Sequence, residues 1–246
     1  MIPRIIHYCW FGRNPKPVLV QQCIASWRKY FKDFEIIEWN EDNFDISAHP
    51  FADYMFKAKK WAFLSDYVRM YVIKKYGGIY LDSDCEAKSS IDLFLHHRAF
   101  TGFERFFYTI SPFTAIFGAE PSHPWVVACL NYYDTVDLTK NKEALFKTNT
   151  EIVSNIIQSR YKINLVDKQQ DLEEGMVIYP SYTLCTPNFW HKNYVTHHFN
   201  GSWISGSKAM HSTLVRSMEF VMRLSPIWAH FMYRKILELI KLKFKK

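Results

Sequence analysis

Two aspartates flank one serine in the stretch KKYGGIYLDSDCE, Lys74 to Glu86. Carboxylates at i and i+2 leave an extended or turning backbone in the same direction. Side by side they repel, and a hard divalent cation such as Mg2+ or Mn2+ relieves that repulsion. A cation held there would grip the diphosphate of a nucleotide and neutralise it as a leaving group. Asp82 and Asp84 are therefore the candidate metal ligands. The plain alternative is a solvated acidic turn, since D-x-D triplets arise by chance.

Three further groups could serve the same chemistry. Asp66 and Arg69 lie three residues apart and are neighbours on one helical face. An exposed pair of this kind is a structural ion pair. On a mostly apolar helix its desolvation is costly, and a role with phosphate or sugar hydroxyls becomes the better reading. The late stretch HHFNGSW, His197 to Trp203, offers imidazoles for a Mn2+-type ion. Its Ser202 hydroxyl and Trp203 indole N–H suit diphosphate oxygens. Trp10 follows an apolar run, where an aromatic ring can stack on a nucleobase or fill a core.

These residues need a scaffold. RIIHYCWFG reads as a buried strand, VLVQQCIASWRKYF as a helix and FEIIEW as a second strand, the opening of a doubly wound α/β sheet. Lys59 to Tyr76 reads as a helix apolar nearly all round, hence mostly buried. Gly77 and Gly78 stop it, with Lys74 and Lys75 in its last turn. IYL is then a short central strand that delivers Asp82 to its carboxyl end, where ligands bind in such sheets. Farther on, RAFTGFE and FTAIFGAE read as strands, and HPWVVACLNYYDTV and KEALFKTNTEIVSNIIQSRY as helices. MVIYPSYTLCTP reads as a late strand and VTHHFNGSW as a polar loop.

Composition sets the limits. The 246 residues are 48% hydrophobic and 17% aromatic, enough for a sizeable core. Five scattered cysteines without a C-x-x-C pair argue against a disulfide framework or a zinc site. The first residues lack the pattern of a signal peptide, and no window of ~18 apolar residues spans a membrane. A reducing cytoplasm is expected.

The net charge of +7 is uneven. Residues 225–246 carry six basic side chains against Glu238, so the rest of the chain holds +2. That argues against a nucleic-acid groove. It marks the tail as a basic amphipathic helix, with Trp228, Met232, Ile236, Leu239 and Ile240 on one stripe. Such a helix lies on an anionic membrane surface or packs on its own domain. Residues 1–224 are expected to form one domain and 225–246 a membrane-associating tail.

Taken together, RIIHYCWFG, SDYVRMYVIKKYGGIYLDSD and HHFNGSW resemble the motif set of glycosyltransferase family 32. That family includes bacterial capsule and lipopolysaccharide enzymes and yeast initiating mannosyltransferases. The catalytic domains of clostridial glucosylating toxins carry a similar set. The resemblance covers residues 1 to about 205. It implies a GT-A fold, here a Rossmann-like mixed sheet flanked by helices, with a nucleotide-sugar donor, a divalent metal and retention of anomeric configuration. By position, Trp10 would stack on the base, and Asp66 and Arg69 would hold ribose and donor sugar. Asp82 would touch ribose or metal, Asp84 would bind the metal directly, and Ser202 and Trp203 would meet the diphosphate. His198 would be the third metal ligand.

The toxins' helical additions and the yeast enzymes' membrane anchor have no counterpart here, which favours a bacterial cytoplasmic enzyme at the inner face of the plasma membrane. The expected reaction moves a hexose or N-acetylhexosamine from a UDP-sugar, with GDP the second choice, to a lipid-linked glycan in capsule or O-antigen synthesis. The rival readings are a metal-dependent nucleotide-sugar phosphohydrolase and a non-catalytic, membrane-associated nucleotide-sugar-binding protein.

Overall fold

The computed structural model of the protein describes residues 1–106, 109–139 and 147–200. The apolar opening run forms strand β1 (Ile5–Cys9), followed by helix α1 (Val18–Tyr30) and strand β2 (Glu35–Trp39). Helices α2 (Pro50–Lys57) and α3 (Trp61–Tyr76) lead into strand β3 (Gly78–Leu81). Strands β4 (Cys85–Ala87), β5 (Ala99–Phe106) and β6 (Thr109–Ala119) follow, then helices α4 (Pro124–Asp134) and α5 (Asn149–Arg160). Strands β7 (Gln170–Asp171) and β8 (Met176–Tyr179), the short helix α6 (Ser181–Leu184) and strand β9 (Val195–His197) complete the described chain.

Seven strands form one mixed sheet in the order β2-β1-β3-β6-β5-β8-β7, and β4 pairs with β9 in a separate antiparallel ribbon. β1 runs parallel to both β2 and β3, whereas β6 is antiparallel to β3 and to β5. β3 is hydrogen-bonded on both edges, which makes it central as expected. The chain leaves β1 towards β2 on one side and comes back to β3 on the other. The crevice outside the carboxyl ends of β1 and β3 is thus a topological switch point, the usual ligand position in open α/β sheets.

Both sheet faces are covered. Leu64, Val68 and Val72 of α3, Trp125 of α4 and Val153 and Ile157 of α5 pack on one face. Ile24 and Trp27 of α1, Cys85 of β4, Phe94 and Leu184 pack on the other. Burying one such side chain contributes roughly 1.5–3 kcal/mol before conformational entropy is charged against it.

Helix α3 starts at Trp61 rather than Lys59, because Lys59 takes φ +55°, outside the helical range. It ends at Gly77 (φ +65°) and Gly78 (φ +99°), conformations that favour glycine. A Cβ on Gly78 would lie 2.6 Å from the Ile5 carbonyl oxygen, so the close approach of β3 to β1 also needs a glycine. His7, fully buried in β1, secures the same corner. Its Nδ1 accepts from the Trp39 indole N–H at 3.0 Å, so its Nε2–H donates to the Gly77 carbonyl at 2.9 Å.

Two expectations are corrected. The late strand stops at Tyr179, because Pro180 cannot donate to a ladder, and SYTL coils into α6. VTH is strand β9, paired with β4 from Cys85 opposite His197 to Ala87 opposite Val195. The helix expected over residues 142–161 is described as Asn149–Arg160, and residues 140–146 lie outside the described residues. The expected tail helix and the boundary at residue 225 also lie outside them.

Candidate metal centre

The two aspartates of the LDSD turn have different surroundings. Asp82 follows β3 and is drawn towards α3. Arg69, on the buried face of that helix, places Nη2 3.1 Å from Asp82 Oδ1 and 2.9 Å from Asp66 Oδ1. Its Nη1 donates to the Thr114 carbonyl at 2.9 Å and reaches Asp82 Oδ2 at 3.4 Å, and its Nε donates to the Ser65 carbonyl at 3.3 Å. All five N–H groups of the guanidinium are thereby engaged inside the protein. The Tyr80 ring lies 4.6 Å beneath the guanidinium, and the Tyr80 hydroxyl donates to Asp82 Oδ1 at 3.2 Å. Arg69 is a clamp between helix and turn. It could contact a ligand only by giving up one of these partners.

Burial sets the acidities on this side. Desolvation raises the Asp66 carboxyl to about 6, against the pull of Arg69, with the Asp82 charge adding to the rise. Desolvation also raises Asp82, again opposed by Arg69. Asn149, at the start of α5, donates to Asp66 Oδ1 at 3.1 Å.

Asp84 faces the β4–β9 ribbon. Its Oδ1 lies 3.3 Å from His197 Nε2, and its Oδ2 accepts from the Asn200 backbone N–H at 2.8 Å. Burial alone would raise this carboxyl. The His197 charge and hydrogen bond, with the Asn200 N–H, outweigh burial and hold it at about 2. The same pair keeps His197 protonated well above the usual histidine range, against its own desolvation.

The residues fit a hard divalent ion. Asp84 and His197 supply a carboxylate oxygen and an imidazole nitrogen, a donor set suited to Mn2+. Among the described residues, Asp84, Cys85 and His197 bring one ligand atom each within 4.8 Å of one another. Cys85 is unsuited to the role. Its thiol donates to the Ala115 carbonyl at 3.4 Å, and burial holds it far from the thiolate form. His197 Nδ1 is buried with no hydrogen-bond partner.

The His198 side chain, the third metal ligand that the resemblance implies, turns to Glu86 and not to Asp84. His198 Nε2 bonds Glu86 Oε2 at 2.9 Å, and only its backbone N–H turns to Asp84, donating to the main-chain carbonyl at 3.1 Å. Alternation along the ribbon puts His198 on the face of Thr196, whose partner is Glu86, whereas Asp84 lies in the turn before β4, outside the ladder, and from there reaches His197. The alternation is visible in the sequence; the strand is not.

Trp10 stands half-buried beyond the carboxyl end of β1, its indole N–H donating to the Asn14 carbonyl at 2.8 Å. Lys16 covers the ring at 5.7 Å. Ser202 and Trp203 lie outside the described residues. Glu104 carries no signal in the sequence. Strand β5 runs in the direction of β3 and so brings Glu104 to the same sheet edge. Burial raises its carboxyl, and the His197 charge opposes the rise.

Comparison with known proteins finds a glycosyltransferase match over part of the chain. Residues 17–101, about a third of the chain, match the model of the family described as "Glycosyltransferase sugar-binding region containing DXD motif". The one Asp-x-Asp in that span is Asp82-Ser83-Asp84. Inositol phosphoceramide mannosyltransferase 3 of Schizosaccharomyces pombe is 29% identical over 106 residues, 40% of this chain. The chain spans 28% of that relative's length. Among solved structures, PaToxG glycosyltransferase aligns with a TM-score of 0.47 at 18% identity, over 64% of this chain and 69% of its own. A glycosyltransferase involved in glycosylating the major capsid of PBCV-1 also aligns at 0.47, at 10% identity, over 87% of this chain and all of its own. At such scores neither likeness carries an argument about activity.

Proposed function

We propose that the protein is a metal-dependent, retaining glycosyltransferase of GT-A type. One observation carries the reading: Asp84, in a span that matches a glycosyltransferase sugar-binding region, meets the distant His197 at the sheet's switch point, beside an Asp82 locked by Arg69. Asp84 and His197 would hold a Mn2+ or Mg2+ ion. When bound, the ion supplies positive charge for the diphosphate that leaves the sugar.

The chain's own residues do the rest. To offer Nε2 to such an ion, His197 would have to be neutral and so give up the proton that Asp84 now favours. Asp84, the stronger acid of the pair in the turn, keeps its charge throughout. Arg69 fixes the Asp82 carboxylate in place before substrate arrives, so no reorganisation is needed as charge develops. Asp66, bonded to Asn149 and paired with Arg69, would read sugar hydroxyls on the α3 side. Trp10, beyond the carboxyl end of β1, would stack on the nucleobase.

The donor is a nucleotide-sugar, UDP-linked by preference, and the group moved is a hexose or N-acetylhexosamine. The acceptor is a glycan, lipid-linked at the inner face of a bacterial membrane, as in capsule or O-antigen assembly. Internal return, with the acceptor attacking on the leaving-group face, needs no covalent nucleophile and is the preferred path.

A panel of UDP- and GDP-sugars, with and without Mn2+, tests the reading. Turnover should require the ion, rise with a glycan acceptor and collapse in Asp84→Asn. Ion-dependent hydrolysis that no acceptor accelerates would make the protein a phosphohydrolase. Nucleotide protection in a thermal shift without sugar release would make it a binding protein.

A further inference from the structure

Two aromatic rings on one loop stand in open solvent. Trp190 is 86% exposed and Phe189 68%, whereas Trp27, Trp39 and Trp125 are buried. Rings of this size present roughly 150–250 Å² each, and leaving them wet forgoes their usual contribution to stability.

The loop is built to keep them there. Asn188 Oδ1 accepts from the backbone N–H groups of Trp190 and His191, each at 3.0 Å. The His191 ring stacks on Tyr182 with centroids 4.0 Å apart. At the root, Asn193 Nδ2 donates to the carbonyls of Tyr182 and Val195 at 2.9 Å each, and Thr196 Oγ1 donates to Asn193 Oδ1 at 2.8 Å. Phe189 and Trp190 cannot fold inward without breaking this set.

Position excludes the reaction cleft as their partner. The β4–β9 ribbon has His197 at one end, beside Asp84, and Val195 at the other, opposite Ala87. The loop enters at the Val195 end. Charge selects the partner instead. Lys192 Nζ lies over the Tyr194 ring at 4.5 Å, and Lys88, beside it, donates its backbone N–H to the Tyr194 carbonyl at 2.8 Å. Lys88 Nζ is paired with Glu86 Oε1 at 2.6 Å, so Lys192 is the ammonium at the base of the rings; exposed Trp and Phe beside it match a bilayer boundary, rings at headgroup level and the ammonium at lipid phosphates.

We propose that residues 188–192 insert Phe189 and Trp190 into the headgroup boundary of an anionic phospholipid bilayer. This stands on exposure, hydrogen bonding and charge. It is independent of the basic tail and of the glycosyltransferase reading.

The test uses the full chain with phosphatidylcholine vesicles, with and without phosphatidylglycerol, some carrying brominated acyl chains. In the Phe189→Ser/Trp190→Ser double variant, partitioning onto phosphatidylglycerol vesicles should fall about tenfold or more while the melting temperature holds. Trp190→Phe should keep most of the binding and lose a distinct share of the bromine quenching. Nucleotide-sugar turnover without vesicles should be equal in all three proteins, so failure here is separable from failure of the proposed activity. Equal sedimentation of wild type and double variant overturns the insertion, as does equal quenching of wild type and Trp190→Phe. Loss of self-association alone in the double variant would make the loop a contact between copies and overturn it too.

Discussion

Asp82 and Asp84 are two residues apart, both largely buried, and opposite in acidity. Asp82 faces α3, where desolvation raises its carboxyl against Arg69, which is already shared with Asp66. Asp84 faces the β4–β9 ribbon, where His197 and the Asn200 N–H hold it at about 2. The α3 side is a closed network around one arginine, with no N–H to spare. The ribbon side is a single carboxylate–imidazole pair, the one proposed to hold an ion. What packs on each side of one D-x-D turn thus sets apart a carboxylate locked by an arginine from one paired with a histidine.

The largest expected effect comes from breaking the closed side. Arg69→Met leaves Asp66 and Asp82 buried and unpaired, and should cost about 3–5 kcal/mol in urea unfolding. A loss below 1 kcal/mol would mean that Arg69 does not clamp the turn. On the ribbon side, Asp84→Asn should cut turnover by about a hundredfold to a thousandfold while leaving most of the stability, because it removes an ion ligand and not a clamp. If Asp82→Asn proves the more damaging to Mn2+ dependence, the two roles are exchanged.

A pH series sharpens the contrast next. Burial lowers the His7 imidazole to about 4, against the bond to the Gly77 carbonyl. The unfolded chain therefore binds a proton that the folded chain refuses between pH 6.5 and 4, and up to about 3 kcal/mol of stability is lost as pH falls through that window. Asp66 works in the other direction. Its folded carboxyl, near 6, holds a proton that the unfolded carboxyl releases above 3.8, so its contribution is full below 3.8 and is lost as pH rises through 6. The two oppose each other in the wild type. Asp66→Asn should expose the His7 slope, seen as a melting temperature that drops on acidification from 6.5 to 4. A flat profile in that variant would count against a neutral buried His7.

The smallest effect separates neighbouring histidines. His197→Ala should weaken Mn2+ binding by about 10–100-fold in calorimetry, while His198→Ala, which loses its bond to Glu86, should leave it near wild type. The reverse order would return the ligand role to His198.

Much of the frame is legible in the sequence because local chemistry and packing agree. The glycines after Tyr76 can only stop a helix, and the apolar IYL can only be a buried strand, so local rules alone place Asp82 at a sheet edge. Asp66 and Arg69 are paired by helical spacing. The failures cluster where a strand depends on a distant partner. Val195 to His197 is too short and too polar to announce itself, and it is a strand because Cys85 to Ala87 lies beside it. Glu104 shows no local pattern, since its place follows from the order of β3, β6 and β5.

The sequence by itself determined the helix–Gly-Gly–strand unit, the pairing of Asp66 with Arg69 and the acidic turn, because each rests on contacts within a few residues. The tertiary structure alone decided which histidine meets Asp84, that Arg69 has no free donor and that Phe189 and Trp190 remain outside. Those outcomes depend on strand pairing and on burial between segments far apart in the chain, and a one-residue change of register on β9 would reverse the first of them.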